Sequence, residues 1–140
     1  MSIDIKKFYL NSPMPRYEYM RLKLSDLPDN VICHYNLENI VTKDGYTYTE
    51  IRHGMNGLFA ADILAHQLLE KRLNMEGYAQ SELTPGFWTH QWRPVSFTFC
   101  VDDFGVKYVG TQQANNLISL LQGSYKISTN REGKRYLGLE

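Results

Sequence analysis

Asp102 and Asp103 stand side by side inside an apolar run, Phe97-Thr98-Phe99-Cys100-Val101-Asp102-Asp103-Phe104-Gly105-Val106-Lys107-Tyr108-Val109. The flanks are β-branched and aromatic residues of the kind that fill buried strands. A doubled negative charge between them must be solvated, paired or bound to a metal. Two carboxylates this close resist joint ionisation where water is scarce, and a divalent cation removes that conflict. Neighbouring side chains of a regular strand point to opposite faces, so both acids serve one site only where the backbone turns. The spacing therefore predicts a hairpin tip at the pair. Asp is also common in turns, and on this feature alone a solvated structural tip competes with a metal site.

A third carboxylate is embedded in the opening segment, Ser2-Ile3-Asp4-Ile5-Lys6-Lys7-Phe8-Tyr9-Leu10-Asn11. On a strand beside the hairpin, Asp4 would complete a set of three acids around one or two Mg²⁺ ions, with Mn²⁺ as a substitute. Such hard cations take oxygen ligands and help to hold substrate phosphates.

The elements that must position these acids follow from pattern. A first strand is expected over Ile3 to Tyr9, stopping near Asn11-Ser12-Pro13, where Pro13 and Pro15 oppose regular pairing. Tyr17 to Leu24 alternates as a half-buried strand does, and Ser25-Asp26-Leu27-Pro28 opens a short helix reaching His34 or Tyr35. Asp44-Gly45 is a turn dipeptide that introduces a strand over Tyr46 to Ile51. Leu58, Ala61, Ala65, Leu68 and Leu69 recur at helical spacing in a helix from Leu58 to Leu73, with Gly77 beyond its end. Strands are expected over Pro85 to Trp92, Val95 to Val101 and Val106 to Val109, then a helix from Gln112 to Leu121 ending near Gly123. Tyr125 to Ile127 and Arg135 to Leu139 close the chain as two more strands. Two main helices on one face of a mostly antiparallel sheet is an α+β arrangement.

The chain has 140 residues, which suits one domain with a core of its own, and no linker or internal repeat divides it. Hydrophobic residues at 43% and charged residues at 21% place it in the globular class. A formal net charge of zero argues against the overall basic footprint of an autonomous nucleic-acid binder. Cys33 and Cys100 lack paired-thiol spacing, and His34, His53, His66 and His90 lack metal-ligand spacing. No apolar stretch approaches the roughly 20 residues that span a bilayer, and the polar start lacks a signal-peptide core. A cytoplasmic protein with no membrane partner is expected.

The order of these signals resembles the reverse transcriptases of long-terminal-repeat retrotransposons, most closely the copia type. The first catalytic motif of that family is matched by Asp4, Tyr9, Leu10 and Asn11, its Gly-Leu helix head by Gly57-Leu58, its Asp-Asp hairpin by Val101-Asp102-Asp103, and its closing motif by Tyr136-Leu137-Gly138. Cys100 stands where the family usually has Tyr, and Phe59 and Ala60 replace polar residues. The resemblance implies a ferredoxin-like palm, with Asp4, Asp102 and Asp103 as catalytic metal ligands for two-metal nucleotidyl transfer. It implies Tyr9 as the gate against a ribose 2′-hydroxyl, Asn56 and Gly57 beside nucleotide and template, and Tyr136, Leu137 and Gly138 as a primer grip. Lys126 lies near the family's pyrophosphate lysine, against which stands a solvated strand lysine. The implied partners are template-primer nucleic acid, deoxynucleoside triphosphates and the remainder of a polyprotein, whose fingers, thumb and ribonuclease H parts the chain lacks. A palm of this kind, whether a degraded element or a fragment, is expected to be inactive or nearly so alone. The competing expectation is a relic palm retained as a structural or interaction domain.

Overall fold

The computed structural model describes residues 1–133 and Tyr136. Its centre is a six-stranded sheet in which every neighbouring pair is antiparallel. The strands are β1 (Ser2–Ile5), β4 (Tyr78–Gln80), β5 (Phe87–His90), β6 (Val95–Cys100), β7 (Asp103–Tyr108) and β8 (Ile127–Asn130), in the spatial order β4-β5-β6-β7-β1-β8. The remaining strands, β2 (Pro13–Lys23) and β3 (Tyr46–His53), form a separate two-stranded ribbon.

Strand alternation sorts the side chains of the sheet onto two unlike faces. On one face Ile3 lies opposite Phe104, Phe104 opposite Phe99, and Trp88 opposite Phe97. These residues form one buried cluster with Leu69 and Leu73 of helix α2 (Phe59–Met75) and Leu117 and Leu121 of helix α3 (Thr111–Gln122). Both long helices therefore cover the same face. Ala61, Ala65, Leu69 and Leu73 repeat every four residues along the buried stripe of α2. Burying a ring such as Phe97, 1% exposed, contributes about 1.5–3 kcal/mol. The face turned away from the helices carries Asp4, Asp103, Cys100 and Thr98, small or polar side chains.

Several boundaries differ from the pattern reading. The first strand ends at Ile5, because Lys7 takes a positive φ of 54° and Tyr9–Asn11 forms a 3-10 turn. Tyr9 therefore stands on a turn beyond the strand. The segment expected as half-buried from Tyr17 begins as β2 at Pro13, and most of it is exposed. Its prolines leave their mark as a register break between Pro13 and Glu18. Strand β4 has no counterpart in the pattern, since three residues are too short to show alternation. The short helix is α1 (Asp29–His34). The last expected strand, Arg135 to Leu139, lies outside the described residues except for Tyr136. Among the described residues no helix is long and apolar enough to cross a membrane.

Candidate active site at the acidic end of the sheet

The β6–β7 hairpin closes on Cys100 opposite Asp103, leaving Val101 and Asp102 as the two residues of the turn. Val101 has a φ of +58°. A β-branched side chain there is a steric outlier, and such outliers gather at functional sites. The tip is fastened to β1 by the Ile5 N–H, which donates to the Asp102 carbonyl at 2.9 Å.

The same pairing sets Asp4 of β1 directly opposite Asp103 of β7. Asp4 is in turn opposite Ser128 of β8, whose Oγ donates to its Oδ2 at 2.9 Å. Two acids facing each other across neighbouring strands repel. Lys6, two residues beyond Asp4 and so on the same face, brings its ammonium onto the Asp4 carboxylate. The hydrogen bond and charge of Asp4 hold that ammonium above the ordinary lysine range, with Asp102 and Asp103 acting in the same direction. One cation thus lies in the field of all three carboxylates.

Around the tip, two adjoining clefts share Tyr9, Met55, Asn56 and Val101. The first, about 420 Å³, runs to Lys7 and Asp102. The second, about 440 Å³, runs to Gly57, Phe59 and Asp62. The structure thus sets Tyr9 and Asn56 on both clefts, Asp102 on the first and Gly57 on the second, while Asp4 and Asp103 are paired on the sheet face turned away from the helices. The Tyr9 hydroxyl donates to Asp62 Oδ1 at 3.3 Å. Partial burial, then the charge of Asp62, raises its pKa above the ordinary phenol value.

Gly57 adopts a φ of +91° with open space where a side chain would be, so it serves the turn before α2. The close approach belongs to Gly54 instead, where a Cβ would come within 2.8 Å of the Tyr9 carbonyl oxygen. Tyr136 lies on the face turned away from the helices: its hydroxyl is 2.8 Å from Thr98 Oγ1, and its ring lies against Gly105. Leu137 and Gly138 lie outside the described residues. Lys126 is exposed, and its carbonyl accepts the Lys6 N–H at 2.8 Å.

The acids offer oxygen donors, the chemistry that Mg²⁺ takes. Among the described residues, no group of three or more His, Cys, Asp or Glu side chains already converges on one metal position. Asp4 would have to exchange the Lys6 ammonium for an ion. Lys6 and Ser128 were not singled out in the sequence. The i, i+2 spacing of Lys6 from Asp4 was a usable signal, whereas Ser128 and Asp62 come near only through tertiary pairing. No family model, curated protein or solved structure matches the chain.

Proposed function

We propose that this chain is the palm of an RNA-directed DNA polymerase of the copia-type retrotransposon kind, with Asp4, Asp102 and Asp103 holding Mg²⁺ at its acidic edge. The observation that carries the reading is the register of Asp4 against Asp103, with Asp102 at the adjoining turn. The strand order β6-β7-β1-β8, with α2 and α3 on one face, supports the reading of a ferredoxin-like palm, a fold built on the split β-α-β-β-α-β motif.

In this reading Asp4, Asp102 and Asp103 would hold the ions, whose chemistry would be activation of a primer hydroxyl and charge neutralisation of a triphosphate. The chain's own part is positional. Asp4 and Asp103 on paired strands, with Asp102 at the adjoining turn, would offer the ions carboxylate oxygens at one end of the sheet. Tyr9 lines both clefts and would serve as the gate against a ribose 2′-hydroxyl, while Asn56 and Gly57, on the same lining, would border nucleotide and template. Tyr136, packed beside Thr98 and Gly105, would belong to the primer grip.

Mn²⁺ titration followed by electron paramagnetic resonance tests the site. Weak binding is expected, and it should be lost in Asp4→Asn and in Asp102→Asn. Wild-type binding by both variants, or no uptake at millimolar Mn²⁺, would sink the reading. Primer extension by the chain alone is expected to be absent or nearly so. A second reading, a relic palm kept as a structural or interaction domain, is favoured by one observation: the Asp4 carboxylate already has Lys6 and Ser128 as partners. Mn²⁺ binding indifferent to the acids would point there.

A further inference from the structure

The β2–β3 ribbon has two faces of different chemistry. Its register sets Tyr19 opposite Glu50, Arg21 opposite Tyr48, and Lys23 opposite Tyr46, so these side chains share one face. Tyr17 and Arg52 belong to the same face, with the Arg52 guanidinium 5.5 Å from the Tyr17 ring centre. Met20, Leu22 and Ile51 fall on the other face, where they are half-buried. The outward face therefore carries four tyrosines, three cations and one acid, without an aliphatic residue.

Its rings are open to solvent: Tyr19 is 65% exposed, Tyr48 57% and Tyr17 47%. The fourth ring, Tyr46, is capped by the Arg21 guanidinium at 3.6 Å, and Arg21 also pairs with Asp44 at the turn. Tyr19 and Tyr48 are diagonal neighbours across the ribbon, about 7–8 Å apart by strand geometry. Tyr and Arg also serve protein interfaces, but an interface core is apolar, and a protein docking here would meet Lys23 and Glu50 among the rings and no aliphatic anchor. A single-stranded nucleic acid would find aromatic faces for its bases, with Lys23 and the Arg52 guanidinium, which it would share with Glu50 at 2.9 Å, for its phosphates.

The ribbon is also rooted beside the cleft. Strand β2 leaves directly after the 3-10 turn that carries Tyr9, and β3 returns to Gly54, whose N–H donates to the Ser12 carbonyl at 2.9 Å. Met55 and Asn56, the next residues, line the cleft.

We infer that the tyrosine face of the β2–β3 ribbon binds single-stranded nucleic acid by stacking bases on Tyr17, Tyr19 and Tyr48, with Arg52 and Lys23 meeting the phosphates. This binding needs no divalent ion and stands apart from the polymerase reading. The neutral charge of the whole chain keeps it weak and strongly salt-dependent.

The test is fluorescence anisotropy of a labelled oligothymidylate of about 20 nucleotides with the full chain, in chelator and about 50 mM salt. Saturable binding is expected, with weaker binding to a duplex of equal length. Tyr19→Ala and Tyr48→Ala should each weaken it roughly tenfold. Tyr35→Ala, which removes a ring 66% exposed at the end of α1, should leave it unchanged. Both ribbon residues are solvent-facing, and circular dichroism checks that their variants fold. No binding at low salt, or tyrosine variants that bind as the wild type does, overturns the inference. So does self-association in sedimentation that is lost in the same variants, which would assign the face to a second copy. Because chelator is present, failure here leaves the Mn²⁺ titration standing, and failure there leaves this one standing.

Discussion

Gly54 packs directly against the backbone of Tyr9: a Cβ at position 54 would lie 2.8 Å from the Tyr9 carbonyl oxygen and 3.0 Å from Ala61 Cβ. The contact joins the end of the ribbon, the turn that carries Tyr9 and the first turn of α2. Its tightness comes from three backbones converging, so no flexible side chain can yield to an added methyl group.

Gly54→Ala should therefore destabilise the fold by about 1–3 kcal/mol, the usual cost of overpacking. It should also shift Tyr9 away from Asp62. Thermal melting reads the first effect, and phenol titration of Tyr9 reads the second, its raised pKa moving back toward the ordinary value. A variant that melts with the wild type would show that the three segments are looser than described.

Val101 offers the opposite change. Its φ of +58° is unfavourable for a β-branched residue, and glycine takes that conformation freely. Relief of about 1–3 kcal/mol of strain, less roughly 0.5–1 kcal/mol for the freedom glycine gains when unfolded, leaves Val101→Gly more stable by about 1 kcal/mol. A raised urea midpoint at unchanged slope is the expected reading. A lowered midpoint would mean that the turn is unstrained.

Burial pushes the Tyr78 phenol up to about 12 from 10.0. Its proton is held more tightly in the folded chain than in the unfolded one. The corresponding stability is complete below about pH 10 and is lost as pH rises toward 12, a span of about 2–3 kcal/mol. Tyr125 is raised by burial as well and steepens the same alkaline limb. The Tyr78 hydroxyl is buried with no hydrogen-bond partner among the described residues. Tyr78→Phe should thus flatten the limb and raise stability at pH 7 by about 1 kcal/mol. Denaturant melts at pH 7, 10 and 11 distinguish these outcomes, and an unaltered alkaline limb in the variant would contradict the assignment.

The parts of the fold with strong periodicity are legible in the sequence. The stripe of α2 from Ala61 to Leu73, the Ala114-Leu117-Leu121 face of α3 and the hairpin around Asp102 each repeat a local rule over enough residues to stand out. Elements decided by tertiary contact are not. Strand β4 exists because Tyr78 pairs with His90, and three residues carry too little pattern to announce it. The early end of β1 follows from the left-handed turn at Lys7, a conformation that lysine does not advertise. At the candidate site the acids were visible as residue types, while their partners Lys6 and Ser128 depended on a register that only the assembled sheet fixes.

Lys6 carries a consequence for biogenesis. Because its ammonium sits against Asp4 and within reach of the charges of Asp102 and Asp103, the repulsive corner of the sheet brings its own counter-ion as part of the polypeptide. A newly made chain can therefore zip β1 against β7 without waiting for an ion from solution.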